Sequence, residues 1–209
     1  MRSRKHLQWQ LEANSAEAYE RYLVPLFFAS GAEGLIELAA LASGERVLDV
    51  ACGTGIVARR AAMHVGNNGR VVGLDLNEAM LEVARKASSD VRPAIEWRQG
   101  DASDLPFPDT AFDVVLCQQG LQFFPDPSVA LGEMRRVLIS DGRLAMSVLR
   151  SVKHNPGYAL LAEALERFVG SDASAMMRSP FPALSADELR ALVVGAGFRE
   201  VKIIIAIGP

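Results

Sequence analysis

"RVLDVACGTGIVA", residues 46–58, runs an apolar segment straight into a turn of small residues, with one carboxylate, Asp49, set inside it. A short, β-branched apolar run that stops at glycines reads as a buried strand, here 46–51. The next residues, "IVARRAAMHV" (56–65), have helical spacing and end at "GNNG", a turn signal. A strand, a glycine turn and a helix in this order open many nucleotide-binding α/β folds, and the question is which ligand this turn receives.

"GTGIVA" (53–58) fits the glycine pattern of dinucleotide sites, and Asp75 follows at about the expected 20 residues. Taken alone the pattern is common, and both glycines could serve only to turn a strand sharply into a helix. Asp49 separates the readings. A dinucleotide places its diphosphate on the helix N-terminus beside this turn. A carboxylate about 4 Å away costs several kcal/mol at an effective dielectric near 20. S-adenosylmethionine has no phosphate and carries an ammonium and a sulfonium, so the same carboxylate attracts it. Asp49 has a plain structural reading beside this one, as a cap for the following turn. Asp75 has two acceptor oxygens for a ribose and also stands where it could cap the helix that follows.

Working outward, residues 14–24 and 25–41 read as two helices joined at Pro25, which opens a helix more readily than it sits inside one. Strands are expected at 70–75, 94–100, 112–118 and 142–149, and helices at 77–88, with Asn77 as N-cap, and at 126–139, 157–169 and 185–196. A last apolar run, "EVKIIIAI", covers 200–207. Alternating strands and helices, the strands apolar on both faces, predict an α/β fold with a doubly wound, mostly parallel Rossmann-like sheet and helices on both faces. The organisation is one globular unit, with residues 1–44 as N-terminal helices covering the site and 45–209 as the cofactor-binding domain. Ligands of such sheets bind beyond the carboxyl ends of the strands, where Asp49 to Gly55, Asp75, Asp101 and Gln118 fall.

With 209 residues, half of them apolar, and a net charge of −3, the chain has no basic footprint for nucleic acid or an anionic membrane. Its start lacks a signal-peptide core, and no stretch is read as approaching the roughly 20 apolar residues of a bilayer span, so a cytoplasmic protein is the expectation. Cys52 and Cys117 match no metal spacing and are too few for a disulfide framework; their strands should be neighbours in the sheet, with two thiols close by chance. His6, His64 and His154 form no ligand group, and no metal is expected.

The segments "VLDVACGTG", "VVGLDLNEAMLEVAR", "QGDASDLPFPDTAFDVVLCQQGLQFFPD" and "ALGEMRRVLISDGRLAMSV", which span about residues 45–149, together resemble the class I S-adenosylmethionine-dependent methyltransferases. Within that class they look like the methyltransferase type 11 branch that includes the ubiquinone/menaquinone C-methyltransferases. The resemblance implies S-adenosylmethionine as cofactor, S-adenosylhomocysteine as product, and a small, fairly apolar molecule as methyl acceptor. It also implies roles for residues. Ala51, Cys52, Gly53, Thr54 and Gly55 line the methionine moiety, with Asp49 facing its ammonium. Asp75 binds the ribose, Leu76 and Met80 lie against the adenine, and Asp101 and Ala102 meet its edge. Gln118 reaches back toward the methionine portion. Phe107 and Phe112 are expected in the core rather than on the ligand.

Methyl transfer from a sulfonium needs alignment and exclusion of water more than a catalytic triad, and none is seen. The acceptor pocket is expected between the N-terminal helices and the loops after the fourth and fifth strands. Tyr19, Tyr22, Phe27, Phe28, Gln119, Gln122, Phe123, Phe124 and Tyr158 are its candidate lining residues, and His154 its candidate base. The family usually closes its sheet with two further strands, of which 200–207 can supply one. An unpaired "KIIIAI" is a pairing hazard, so a homodimer through this strand, a swapped strand, or a fragment of a longer protein is expected. Two other readings stay open on residues alone: a cofactor-binding protein without catalysis of its own, and a nicotinamide-dependent oxidoreductase, which Asp49 opposes.

Overall fold

The computed structural model describes residues 13–181 and 184–205. Five strands, β1 (Arg46–Val50), β2 (Arg70–Asp75), β3 (Glu96–Gln99), β4 (Phe112–Gln118) and β5 (Leu138–Ser147), form one sheet of order β3-β2-β1-β4-β5. Every neighbouring pair is parallel. The order reverses between β1 and β4, so the crevice at their carboxyl ends is the point where a ligand fits.

β1, β2 and β4 are largely apolar on both faces because both faces are covered, whereas the edge strands β3 and β5 are only partly buried. Val47, Val71, Val114 and Leu116 pack on one side with Ala58, Ala61 and Val65 of α3 (Ile56–Val65) and with Leu35 and Ile36 of α2 (Ala29–Ala39). Leu48, Val50, Val72, Leu74 and Val115 pack on the other with Ala130, Leu131, Met134 and Val137 of α5 (Pro127–Val137). Phe107 and Phe112 meet edge to face at 5.0 Å inside this second layer, the core role expected of them. Helix α4 (Glu78–Ala87) begins at Asn77, whose side chain accepts from the Ala79 N–H as an N-cap should.

The N-terminal region departs from the reading of two helices broken at Pro25. α1 (Ala13–Ala18) continues into a π-helical stretch, Tyr19–Phe28, and on into α2 without a break. Pro25 has no N–H to donate, and the wider π turn takes up its ring, with Ala29 N–H bonding Val24 five residues back. By length and composition alone the resulting helix, Ser15–Ala39 (25 residues), would suffice to cross a bilayer, a test that a core helix also passes. Its stripe of Ala32, Leu35, Ile36 and Ala39 lies against the sheet and α3. Glu20 and Glu33 pair with Arg59 and Arg60 of α3 at 2.7 and 3.0 Å. Arg143 on β5 fixes the helix's far end by donating to the Ala39 and Ala40 carbonyls and to Glu45.

Two further boundaries move. β5 starts at Leu138, four residues before the predicted strand, because buried Leu138 pairs with Phe112; the register then jumps so that Val114 faces Arg143. After α6 (Pro156–Phe168), α7 (Ser171–Arg178) and α8 (Ala186–Gly195), residues 201–205 do not join the sheet as a strand, and Ile204 and Ile205 are exposed. Residues 206–207 of that expected strand lie outside the described residues. β5 is therefore an edge of the described sheet.

Candidate active site

Backbone geometry makes the turn after β1. Cys52 N–H bonds the Leu74 carbonyl at 3.0 Å, which staples the turn to β2, and Gly55 N–H closes it on Cys52 at 2.9 Å. Ala51, Gly53 and Gly55 all have positive φ. At Gly55 (φ 85°) a Cβ would stand 2.2 Å from Cη2 of Trp97, whose ring also covers Gly73. Gly55 thus lets β1 turn into α3 under an aromatic lid; it lines neither cavity described below.

Asp49 is 1% exposed. Its Oδ2 accepts from the Ala58 N–H in the first turn of α3 at 3.0 Å, so the capping reading holds. Its Oδ1 is buried with no hydrogen-bond partner, and so is Thr54 Oγ1. Burial pushes the Asp49 pKa up to about 8; the Ala58 amide opposes the rise and nearby Asp75 adds to it. The carboxyl also occupies one of the free amides at the helix N-terminus, where a diphosphate would bind.

Asp75 ends β2 and binds both walls: Oδ2 accepts from Gly53 N–H at 2.8 Å and Oδ1 from Asn77 N–H at 2.9 Å. Each oxygen keeps a second lone pair for a hydroxyl. Burial raises its pKa, against the backbone amides of Asn77, Gly53 and Leu76 that lower it. Beyond Asp75, Leu76, Met80, Asp101 and Ala102 line one continuous cleft of about 2560 Å³. Leu76 is 46% exposed, a flat apolar surface open to a ligand. Asp101 also has its turn role, accepting from Ser103 N–H at 2.8 Å.

A second cavity of about 30 Å³ adjoins it, walled by Asp49, Cys52, Thr54, Tyr19 and Phe28. Ala51, Gly53 and Gln118 face both. Gln118 Nε2 donates to the Phe28 carbonyl at 3.0 Å and so ties the N-terminal helix to β4. Tyr19 packs 5.1 Å from the Phe28 ring, and its phenol pKa is raised by burial and then by Asp75 and Glu20. Cys52 and Cys117 are unpaired buried thiols, both with raised pKa through burial.

Of the acceptor-side candidates, Tyr19, Phe27, Phe28, Gln119, Gln122, Phe123, Phe124, His154 and Tyr158 line the large cleft. Tyr158 links its walls, 6.0 Å from the Phe27 ring and 4.8 Å from that of Phe181. Tyr22 lines neither cavity: it is 55% exposed, beneath the Arg21 guanidinium. His154 Nε2 lies 2.9 Å from Arg150 Nη2 and its Nδ1 lies 3.1 Å from Ser151 Oγ. A guanidinium only donates, so Nε2 accepts, and in this arrangement the ring keeps no free lone pair for a base.

A family model described as a methyltransferase domain matches residues 48–146. The chain is 34% identical over 184 residues to the 2-phytyl-1,4-naphtoquinone methyltransferase of Synechococcus elongatus, covering 80% of this chain and 76% of that one. The chain belongs to the methyltransferase family. A ubiquinone/menaquinone biosynthesis C-methyltransferase of Ectopseudomonas mendocina is 43% identical over 135 residues, and there the match spans 64% of this chain and 51% of the relative. A solved structure from Bacillus halodurans C-125, described as a candidate methyltransferase, superposes with a TM-score of 0.63 at 31% identity, over 81% of this chain and 69% of that one.

At the switch point of this methyltransferase a small cavity walled by a buried carboxyl adjoins a roomy cleft. Sequence reasoning missed two supports of this methyltransferase site. Trp97, its indole N–H bonded to Ser88 Oγ at 3.1 Å, fixes the glycine turn from β3. Arg59 bridges the Thr54 carbonyl and Glu20, locking the turn to the N-terminal helix. Paired small residues, Gly55 and Gly73, opposite one large aromatic were the signal for the first; the second joins residues with no shared local pattern.

Proposed function

We propose that the methyltransferase acts on an apolar quinone-type ring in its reduced, hydroquinone form, bound between the N-terminal helix and the loops after β4 and β5. When bound, S-adenosylmethionine supplies a methyl carbon on a positively charged sulfur, a good leaving group for in-line displacement. The orphaned Asp49 Oδ1 is the observation that carries the cofactor assignment: once ionised, a buried carboxyl oxygen with no partner fits an ammonium. Thr54 offers a second polar atom to the same methionine end, and the Ala51, Cys52 and Gly53 backbone bounds it. Asp75 holds the ribose, Leu76 and Met80 the adenine faces, and Asp101 and Ala102 its edge. A hydroquinone fits the reaction because its oxygens enrich the ring carbon that must attack, whereas an oxidised quinone is electron-poor.

Among the described residues, the N-terminal helix acts as a cover, with Tyr19 and Phe28 lining both cavities and Phe27 the larger one. Two unpaired buried thiols suit a reducing, cytoplasmic compartment. The exposed Ile204 and Ile205, with β5 standing at the edge of the described sheet, favour self-association of this chain. Sedimentation velocity across a hundredfold concentration range should show a dimer, and replacing both isoleucines by lysine should return a monomer; a monomer throughout rejects the assembly.

The assay is incubation with S-adenosylmethionine and a reduced 2-alkyl-1,4-naphthoquinone, read by the mass gain of one methyl in the acceptor and by release of S-adenosylhomocysteine. Turnover of other acceptors with none of any hydroquinone would reject the reading.

A further inference from the structure

The short 3-10 turn Leu121–Phe123 follows β4 and is seated by buried Leu121. It is pressed onto the cofactor turn through Gly120, where a Cβ would stand 2.8 Å from Ala51 Cβ and from Cys117 Sγ. No larger residue permits that approach, and it sets the next polar residue, Gln122, in the wall of the large cleft, apart from the small cavity of Asp49 and Thr54. Both polar atoms of Gln122, Oε1 and Nε2, are buried without a hydrogen-bond partner. A carboxamide left so bears the full desolvation cost of two donors and two acceptor lone pairs. Methionine or leucine would fill the same space with no such cost, so packing does not account for a glutamine here. The other unpartnered buried atoms among the described residues are Asp49 Oδ1 and Thr54 Oγ1 in the small cavity and Glu20 Oε2 on the covering helix.

We propose that Gln122 is the acceptor-recognition residue of the methyltransferase, its carboxamide holding a hydroxyl of the aromatic substrate next to the reacting atom. This rests on the hydroquinone reading above. The chemistry of the group narrows the substrate. A carboxamide is neutral, donates and accepts at once, and takes no proton. It therefore matches a neutral hydroxyl rather than a carboxylate or an ammonium. Phe123 and Phe124, on either side of the chain's next turn, line the same cleft and suit the faces of a flat ring whose oxygenated edge meets Gln122. A site built around a buried hydrogen-bonding group rejects analogues that cannot return the bond.

The test is binding to protein saturated with S-adenosylhomocysteine, by calorimetry, of 1,4-naphthohydroquinone kept reduced under argon and of 1,4-dimethoxynaphthalene, which has no O–H. Wild-type protein should bind the hydroquinone at least tenfold more tightly than the dimethoxy compound. Gln122→Met, of nearly equal shape, should bind the two within threefold of each other. Its S-adenosylhomocysteine affinity should stay within twofold, and its ligand-free melting temperature should hold or rise as the orphaned amide is removed. Gln122→Leu provides the same comparison should the methionine variant fail to fold. A preference retained in the variants, or none in the wild type, overturns the inference. Released S-adenosylhomocysteine in parallel mixtures made with S-adenosylmethionine separates the two readings. Selective binding without methylation rejects the hydroquinone as acceptor and leaves the Gln122 contact standing; methylation indifferent to Gln122 rejects the contact alone.

Discussion

Asp49 shows how a residue's place can be legible in the sequence while its protonation state is not. Its place in an apolar run before a glycine turn is legible in "VLDVACGTG", and so is its hostility to a diphosphate. Its protonation is not legible, because that depends on layers of side chains from distant segments that desolvate it. With the ligand-free pKa at about 8 against a usual value of 3.8, the folded protein holds a proton that the unfolded chain releases. Stability of the ligand-free protein therefore falls as pH rises through that window and levels off above it. An ammonium ligand needs the ionised form, so S-adenosylhomocysteine affinity should be at least tenfold weaker at pH 6.0 than at pH 8.0. Asp49→Asn, which can still cap α3, should flatten that profile and weaken binding at pH 8.0; a calorimetric titration at both pH values decides it. Asp75→Ala, which removes the ribose acceptor and frees the Gly53 and Asn77 amides, should weaken the same ligand at least tenfold. An unchanged dissociation constant would withdraw the ribose assignment.

At the scale of elements, strands and helices with strong local patterns were readable, and long-range pairings were not. β1, β2 and β4 lie where apolar runs meet turn signals, and α4 starts at its Asn77 cap. The start of β5 was missed because Leu138 pairs with Phe112 across a register jump that no local pattern carries. The helix through Pro25 was missed because the usual rule assumes an α-helical hydrogen-bond ladder, which a π stretch abandons. The glycine turn gives the sharpest prediction here. Gly55→Ala forces a side chain into positive φ and into the Trp97 ring, and should cost about 3 kcal/mol as left-handed strain and overpacking combine. Urea unfolding followed by tryptophan fluorescence measures it. A loss below 1 kcal/mol (a minor cost by the usual scale of point mutations) would mean the ring moves aside freely.

For the whole molecule, alternation of strands with helices and apolarity on both strand faces were enough to infer the doubly wound sheet, and the switch point between β1 and β4 follows from its order. The C-terminal run was not readable. Its composition favours a strand, yet strand formation needs a partner edge in register, and residues 201–205 take none among the described residues. Tyr22, expected in the acceptor pocket, stands exposed outside both cavities, and no local pattern carries that orientation.

The small cavity under Tyr19 and Phe28 has a kinetic corollary. At about 30 Å³ it admits a water or two and no amino-acid chain, so occupancy demands that the aromatic pair swing outward first. Ligand capture should then be paced by this doorway: in stopped-flow mixing, the observed rate should saturate with S-adenosylhomocysteine concentration instead of climbing linearly. Phe28→Ala, by leaving the threshold ajar, should raise the plateau severalfold.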